Sequence, residues 1–462
     1  MSTSDLSNFG EEHFGTVKLG HKARNACVVK LANLLRRHPG GTLPDKLSAP
    51  KDYKALMRLV HRPEVTHASV LQPHRQRTVR LMEQSESQVL LLVHDATTLD
   101  YSSLKSLAND LGPIGDGRGR GYLCHNSLAI DPQRRQVLGL ANQILHHCDT
   151  VPKNESVAAK RLRDNRESRL WTKAVQQIGS VAPEKLVIDV CDRGADIFEF
   201  LSWEVKHGRH FVVRSTYNRA LLLADGADQP AYLHDYARTL PALDHKTITI
   251  QGRNGSPDRQ AKIAVSAGPA TVLAPHVKRG EHDRTPLRLW MVRVWEPNPP
   301  ADCEAVEWLL LTTEVVEQPS DAWLVVSWYE CRWMVEEFHK AMKTGCDIEE
   351  LQFASIKGLE PTIALLSVVA TTLLNLRSLS RSPEAKTTLA TDIVDASYVA
   401  VLSLWRYKKK RDLTVHEFFY ALARLGGHQN RKCDGQPGWL VLWRGWTKLE
   451  LLHTGYEIRG ET

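Results

Sequence analysis

The sequence predicts an α/β fold, and three observations point to it. Gln88–His94 and Leu186–Cys191 are short apolar runs with the length and composition of strands covered on both faces. Stretches of helical periodicity separate these runs from further strand-like segments. Each of the two apolar runs is followed at once by an aspartate, Asp95 and Asp192. Open α/β sheets place their sites at the carboxyl ends of such strands, so the two aspartates are expected at one sheet edge.

The elements follow in order. Val28, Leu31, Leu34 and Leu35 give one apolar face to a helix between Lys22 and His38. Segments 51–61 and 65–83 read as two more helices, broken around His61, Arg62 and Pro63. Arg24, Lys30, Arg36, Arg37, Lys54, Arg58 and Arg62 decorate this part, a composition suited to a small DNA-binding domain, without a clear helix-turn-helix signature. After the first buried strand comes the glycine-rich turn Gly115–Gly121, then strands near 125–131 and 136–146. A long polar helix is expected over 154–178, a helix near 195–206 and a strand over 210–214. Three strands, a helix, a strand, a helix and a strand is the order of the ribonuclease-H-like fold.

Segments 247–251, 261–265, 287–294 and 308–311 read as a β-rich insertion, and an apolar helix is expected near 357–380. The last 80 or so residues read as mixed helix, with Trp439, Trp443 and Trp446 expected to pack a small core. The expected layout is an N-terminal helical domain (1–80), a catalytic domain in two parts (81–219 and 316–383), the insertion (220–315) and a C-terminal helical domain (384–462).

The chain has 462 residues, 42% apolar and 24% charged, ordinary values for a globular protein of two or three domains. A net charge of +7 leans toward a polyanionic partner. Basic residues gather at Lys160, Arg161, Arg163, Arg166 and Arg169 and again at Lys408–Arg411, although each cluster alone is equally a solvated face. The eight cysteines are scattered with no Cys-x-x-Cys pair, so neither a zinc site nor a disulfide framework is indicated. His146, His147 and Cys148 are adjacent, a poor geometry for one tetrahedral metal. No apolar leader and no run near 18 apolar residues is found, the pattern expected of a cytosolic protein in a reducing compartment.

The chemistry is concentrated near position 330. Tyr329, Arg332, Glu336 and Lys343 are spaced at helical repeats and would fall within about 60° of one another on one helix. Trp323, Met334, Phe338, Ala341 and Met342 would form the opposite, core-facing side. Taken alone, such a stripe is also what a solvated helix with ordinary ion pairs looks like. Joined to Asp95 and Asp192, Glu336 completes three hard-oxygen ligands suited to two Mg²⁺ or Mn²⁺ ions, with the cations and the phenol placed for phosphate oxygens. Asp100, Asp189, Asp196 and Glu337 are neighbouring acids read as supporting groups rather than ligands. The Gly115–Gly121 run lacks the Gly-Lys-Ser/Thr ending of a nucleotide loop.

The spacing of Tyr329, Arg332, Glu336 and Lys343 resembles the Y-(2)-R-(3)-E-(6)-K signature of the insertion-sequence-four family of bacterial DDE transposases. So do His94–Leu99 around the first acid, Val190–Asp196 around the second, Phe211–Ser215 and Ala421–Gly427; the likeness runs from about residue 17 to 450. The resemblance implies a cut-and-paste transposase acting in the bacterial cytoplasm on the nucleoid, binding double-stranded transposon ends and target DNA as a homodimer. It makes Asp95, Asp192 and Glu336 the catalytic triad holding two divalent ions, and Tyr329, Arg332 and Lys343 phosphate-holding groups. Trp308 matches a tryptophan that stacks on a flipped base, Arg214 a basic residue near DNA, and Arg58 an arginine that reads the transposon end. Gly194 fits the wider family pattern where some members carry glutamate, and Cys27 stands where a DNA-contacting arginine occurs. Two other readings stay open on the residues: a catalytically silent DNA-binding descendant, and another ribonuclease-H-fold nuclease.

Overall fold

A computed structural model describes residues 8–151, 154–156, 159, 163–223, 231–250, 258–275, 283–301, 303, 305–381, 383–431 and 434–460. It is a mixed α/β protein built on one ten-stranded sheet. The strands are β1 (Val89–Asp100), β2 (Gly112–Ile114), β3 (Gly119–Asp131), β4 (Gln136–His146), β5 (Leu186–Cys191), β6 (His210–Arg214), β7 (Asp244–Ile250), β8 (Arg259–Val272), β9 (Leu287–Trp295) and β10 (Glu307–Thr312). They lie in the order β2-β3-β1-β5-β6-β10-β9-β8-β7, with β4 paired to β3. Among the described residues only β1–β5 and β5–β6 are parallel. The strands read from the sequence as an insertion therefore continue the same sheet, through antiparallel pairing of β10 to β6.

The main helices are α1 (Lys22–Arg37), α2 (Pro50–Val60), α3 (His67–Gln84), α4 (Leu170–Ile178), α5 (Phe198–Lys206), α6 (Pro319–Glu330), α7 (Trp333–Lys340), α8 (Ile356–Arg381), α9 (Ala396–Tyr407), α10 (Val415–Leu425) and α11 (Trp439–Gly460). Their ends follow local chemistry. Gln318 and Asp321 form a capping box at α6 with Pro319 at its first position, and Thr414 and Glu417 do the same at α10.

Strand alternation assigns the two cores. Val190, Val212 and Leu310 point into one cluster, which they share with α1, α6, α7 and α8; their chain neighbours Cys191, Val213 and Leu311 point into the other, with α4 and α5. Burial on both faces is why β5 is apolar at every position but Asp189. The N-terminal helices share the first core with α8 and the sheet. Among the described residues, Ile356–Asn375 in α8 is the one helical stretch long and apolar enough to cross a membrane, and 72% of that stretch is buried within the protein.

Several expectations change. The helix expected over 154–178 is, among the described residues, α4 preceded by a single 3₁₀ turn at Glu167–Arg169. Lys160 and Arg161 of the basic cluster lie outside the described residues. Arg163 pairs instead with Glu155 and Arg169 with Asp164, so these cations do not line one helical face. The tryptophans also divide: Trp439 and Trp443 pack on the main core, and only Trp446 joins the cluster of α9, α10 and α11. Trp439 goes there because its indole N–H donates to Glu337 at 2.6 Å.

Behind the sheet edge, a buried polar chain ties three strands together. Ser127 Oγ on β3 lies 2.8 Å from His94 Nδ1 on β1. His94 Nε2 lies 2.8 Å from Asp189 Oδ1 on β5. Arg209 donates to Asp189 Oδ2 through Nη2 at 2.7 Å and Nε at 3.0 Å. Ser127, His94 and Asp189 are fully buried, so a broken link cannot be repaired by water. Asp189→Ala strips Arg209 and His94 of their shared acceptor. Urea unfolding is expected to show a loss of about 3–5 kcal/mol; an unmoved midpoint would mean that the chain contributes little to holding β1 on β5.

Candidate active site

The first two acids meet because of strand register. β1 and β5 pair in parallel from Val89↔Leu186 to His94↔Cys191, and Asp95 and Asp192 are the next residue on each strand. Asp95 does not end its strand, as the sequence suggested. β1 runs on to Asp100 against β3, with Asp95 opposite Asn126. The sequence signal stops at His94 because the part of β1 that pairs with β5 is apolar but for His94, and polar residues follow it. Asp192 leaves the sheet and starts a 3₁₀ turn, its Oδ1 accepting the Gly194 N–H at 2.9 Å. A Cβ on Gly194 would come within 2.9 Å of the Trp171 ring and 3.1 Å of Asp192 Oδ1, so any side chain there would press on the acid itself.

The third acid arrives on a broken helix. Tyr329, Arg332, Glu336 and Lys343 do not lie on one continuous α-helix: α6 ends at Glu330, Cys331 and Arg332 form a turn, and α7 starts at Trp333. Through the turn the hydrogen bonds tighten to i→i−3, as in Arg332 N–H to Tyr329 O at 3.0 Å and Met334 N–H to Cys331 O at 3.0 Å. Such residues advance about 120° each rather than about 100°, which rotates Tyr329 out of the stripe. Tyr329 is buried, 3% exposed, with its ring edge-on to Trp308 at 5.2 Å between centroids. Beyond α7 the chain loosens into a π turn at Ala341–Gly345, closed by Cys346 N–H to Ala341 O at 2.8 Å. That turn carries Lys343 away to Glu349, 3.3 Å distant, near the Asp100 end of β1.

Arg332 is left between the acids. Its Nη1 lies 3.3 Å from Asp95 Oδ2 and its Nη2 2.5 Å from Glu336 Oε1. The Arg332 guanidinium also lies 5.8 Å from the Tyr329 ring. Arg214 lies near enough to Tyr329 for its charge to act on the phenol, and it donates to the Glu307 carbonyl at 3.2 Å. Trp308, Tyr329, Arg214, Arg332 and the acids thus form a contiguous group, whereas Lys343 sits to one side. Arg58 is exposed in the last turn of α2, within the N-terminal helical layer.

The neighbouring acids are occupied elsewhere. Asp196 accepts the backbone N–H groups of Thr216 and Tyr217 and the Arg219 guanidinium. Glu337 is shared by Lys340, Arg377 and Trp439. Asp100 accepts from Ser102, and Asp189 belongs to the buried chain described above. The sequence reading did not single out His94, Ser127, Arg209 or the contact of Asn126 with His339 at 3.1 Å. The available clue was a histidine beside Asp95 in an otherwise apolar strand.

Electrostatics single out Asp95. Burial first, and then the Asp192 charge, push its carboxyl up to about 7. Among the described residues no group of three or more His, Cys, Asp or Glu side chains is gathered closely enough to hold a metal ion. The donor chemistry nonetheless fits a hard divalent cation. Asp95 is held against its own ionisation by burial and by the nearby charges of Asp192 and Glu336, an excess of negative potential that a cation would relieve. Arg332 meets part of it. No model of a known protein family matches the chain.

The raised Asp95 carboxyl has a signed consequence. Below about pH 4 it is protonated both folded and unfolded. Between about pH 4 and 7 only the folded state keeps the proton, so stability falls as pH rises through that window. In chelator, Asp95→Asn is expected to melt above wild type at pH 8, with the two converging at about pH 3.5. Parallel melting curves at every pH would show that the carboxyl is not held high.

Proposed function

We infer that this protein is a cut-and-paste DNA transposase of the insertion-sequence-four type, with a ribonuclease-H-like catalytic core. The observation that carries the reading is the convergence of Asp95 and Asp192 at the end of the β1–β5 parallel pairing, with Glu336 joined to Asp95 through Arg332. The signature spacing around Tyr329 supports it, as does the grouping of Trp308, Arg214 and Tyr329 beside the acids.

On this reading Asp95, Asp192 and Glu336 would hold the divalent ions. When bound, those ions supply charge stabilisation to the attacking and leaving oxygens of a phosphodiester. The protein's own part is positioning. Arg332 presents a planar fork suited to two phosphate oxygens, and it would turn from the carboxylates to the scissile phosphate when the acids take up their cation. Arg214 and Tyr329 would fix the adjoining phosphate, and Lys343 one further along the strand. Trp308, held edge-on by Tyr329, would stack on a base turned out of the duplex.

The reaction order is hydrolysis of one strand at each transposon end, freeing a 3′ hydroxyl. That hydroxyl attacks the opposite strand, releasing the flank and leaving a hairpin. After the hairpin opens, the same hydroxyl joins target DNA. Two chains bridging two ends form the working unit, with the N-terminal helices and Arg58 reading the ends and residues 384–462 serving the dimer.

The test uses the purified protein on labelled DNA carrying the ends of its own element, with Mg²⁺ or Mn²⁺ and products read on a denaturing gel. Wild type is expected to give nicks and then hairpins, and Glu336→Ala to lose about 10²–10³-fold or more in rate. Binding without cleavage in either metal would favour a silent DNA-binding descendant; simple cuts without hairpins or joining would favour another nuclease of the same fold. Trp308→Ala is expected to nick normally but to lower the hairpin-to-nick ratio about 5- to 150-fold, the equivalent of about 1–3 kcal/mol of lost stacking. An unchanged ratio would leave Trp308 as a core aromatic.

A further inference from the structure

The last turn of α9 and the loop after it carry Arg406, Lys408, Lys409, Lys410 and Arg411 within six residues. Arg406 and the three lysines are exposed. Arg411 is paired with Glu417, whereas none of the three lysines has a carboxylate partner among the described residues. Lys408 occupies the left-handed position that ends α9, with φ 60° and ψ 14°, its N–H donating to the Leu404 carbonyl at 3.0 Å. Glycine ordinarily takes that position because a Cβ is unwelcome there. One cation at a helix C-terminus is favoured by the helix dipole, but three consecutive lysines exceed what capping needs.

Aromatic rings seat several of these cations, and of them only Arg411 is also met by a carboxylate among the described residues. Arg411 and Arg406 lie over the Tyr407 ring at 4.4 and 5.5 Å, and the Lys410 ammonium over Tyr456 at 5.4 Å. Aromatic seats restrict the side chains and leave the charge outward. The location is also defined. Trp439 bonds Glu337, next to Glu336, and Tyr456 lies on the same helix, α11, about 25 Å further along at about 1.5 Å per residue. That reach corresponds to about seven base pairs of duplex at about 3.4 Å each.

We propose that this loop is a second contact for the sugar–phosphate backbone of duplex DNA, independent of sequence and separate from the carboxylate site; it rests on the DNA-processing reading above. Flexible ammonium groups suit phosphates along a backbone better than directional contacts to base edges.

The experiment measures fluorescence anisotropy of full-length protein with labelled duplexes, in chelator, across a salt series. Wild type is compared with the combined Lys408→Gly, Lys409→Ala, Lys410→Ala variant, in which glycine relieves rather than strains the left-handed position. Matched circular dichroism and melting establish that the variant is folded. The log–log salt slope is expected to become shallower by about 2–3, at about 0.9 for each phosphate no longer neutralised. Affinity should fall equally for end-bearing and scrambled duplexes, and a triple Lys→Arg variant should keep the wild-type slope. An unchanged slope, or a weakening confined to the end-bearing duplex, overturns the proposal. If the variant instead loses binding to a polyglutamate peptide and not to DNA, the surface serves an acidic protein. Wild type with no salt-dependent binding to any duplex would overturn the DNA-processing reading itself; a slope unchanged in an otherwise DNA-binding protein removes only this second surface.

Discussion

The register of β1 against β5 is the constraint on which the rest depends. Strand pairing fixes His94 opposite Cys191, and from that single alignment Asp95 and Asp192 become neighbours. A slip of one residue would turn each side chain to the other face of the sheet and separate the acids. Apolar burial on both faces resists such a slip, and the Ser127–His94–Asp189–Arg209 chain adds a directional lock, since its members can be satisfied in only one alignment. The lock and the proposed site therefore draw on adjacent residues: His94 is fully buried and ties the strands, whereas Asp95 keeps some exposure.

The helix segment that delivers Glu336 shows the complementary use of irregularity. A straight helix would place Tyr329, Arg332, Glu336 and Lys343 in a line. The tight turn at Cys331 and Arg332 instead buries Tyr329 against Trp308 and swings Arg332 between Asp95 and Glu336. Both departures from α geometry, the tight turn and the π turn after Lys340, fall beside the proposed site. The tight turn sets Arg332 beside both Asp95 and Glu336, where it offsets part of their mutual repulsion.

Much of this was legible in the sequence, and the exceptions have physical causes. The apolar runs announced β1 and β5, because strands buried on both faces admit few polar residues. The acids were legible because each follows such a run. What could not be read was the continuation of β1 past Asp95, where polar residues face a partner strand and the apolar signal ends. The helix break was hidden for a similar reason: Cys331 and Arg332 are compatible with a helix, and the contact of Tyr329 with Trp308 on β10 is not a local pattern. Periodicity showed β7 to β10 as strands, but their union with the central sheet depends on long-range pairing of β10 with β6, which no local pattern encodes.

The open sheet of ten strands ends at β2 and β4 on one side and at β7 on the other. An unpaired edge is an invitation to any other strand in solution, since its backbone groups remain ready to bond. β7 answers with Asp244, His245 and Lys246 at its exposed start, and two of these are also fastened to the helix that leads into the site. Trp323 of α6 donates to Asp244 at 2.8 Å, and the Lys246 ammonium lies 4.2 Å from the same indole ring. The residues that keep foreign strands off the rim thus also brace α6, so resistance to aggregation and support of the arginine-bearing turn reside in the same few side chains.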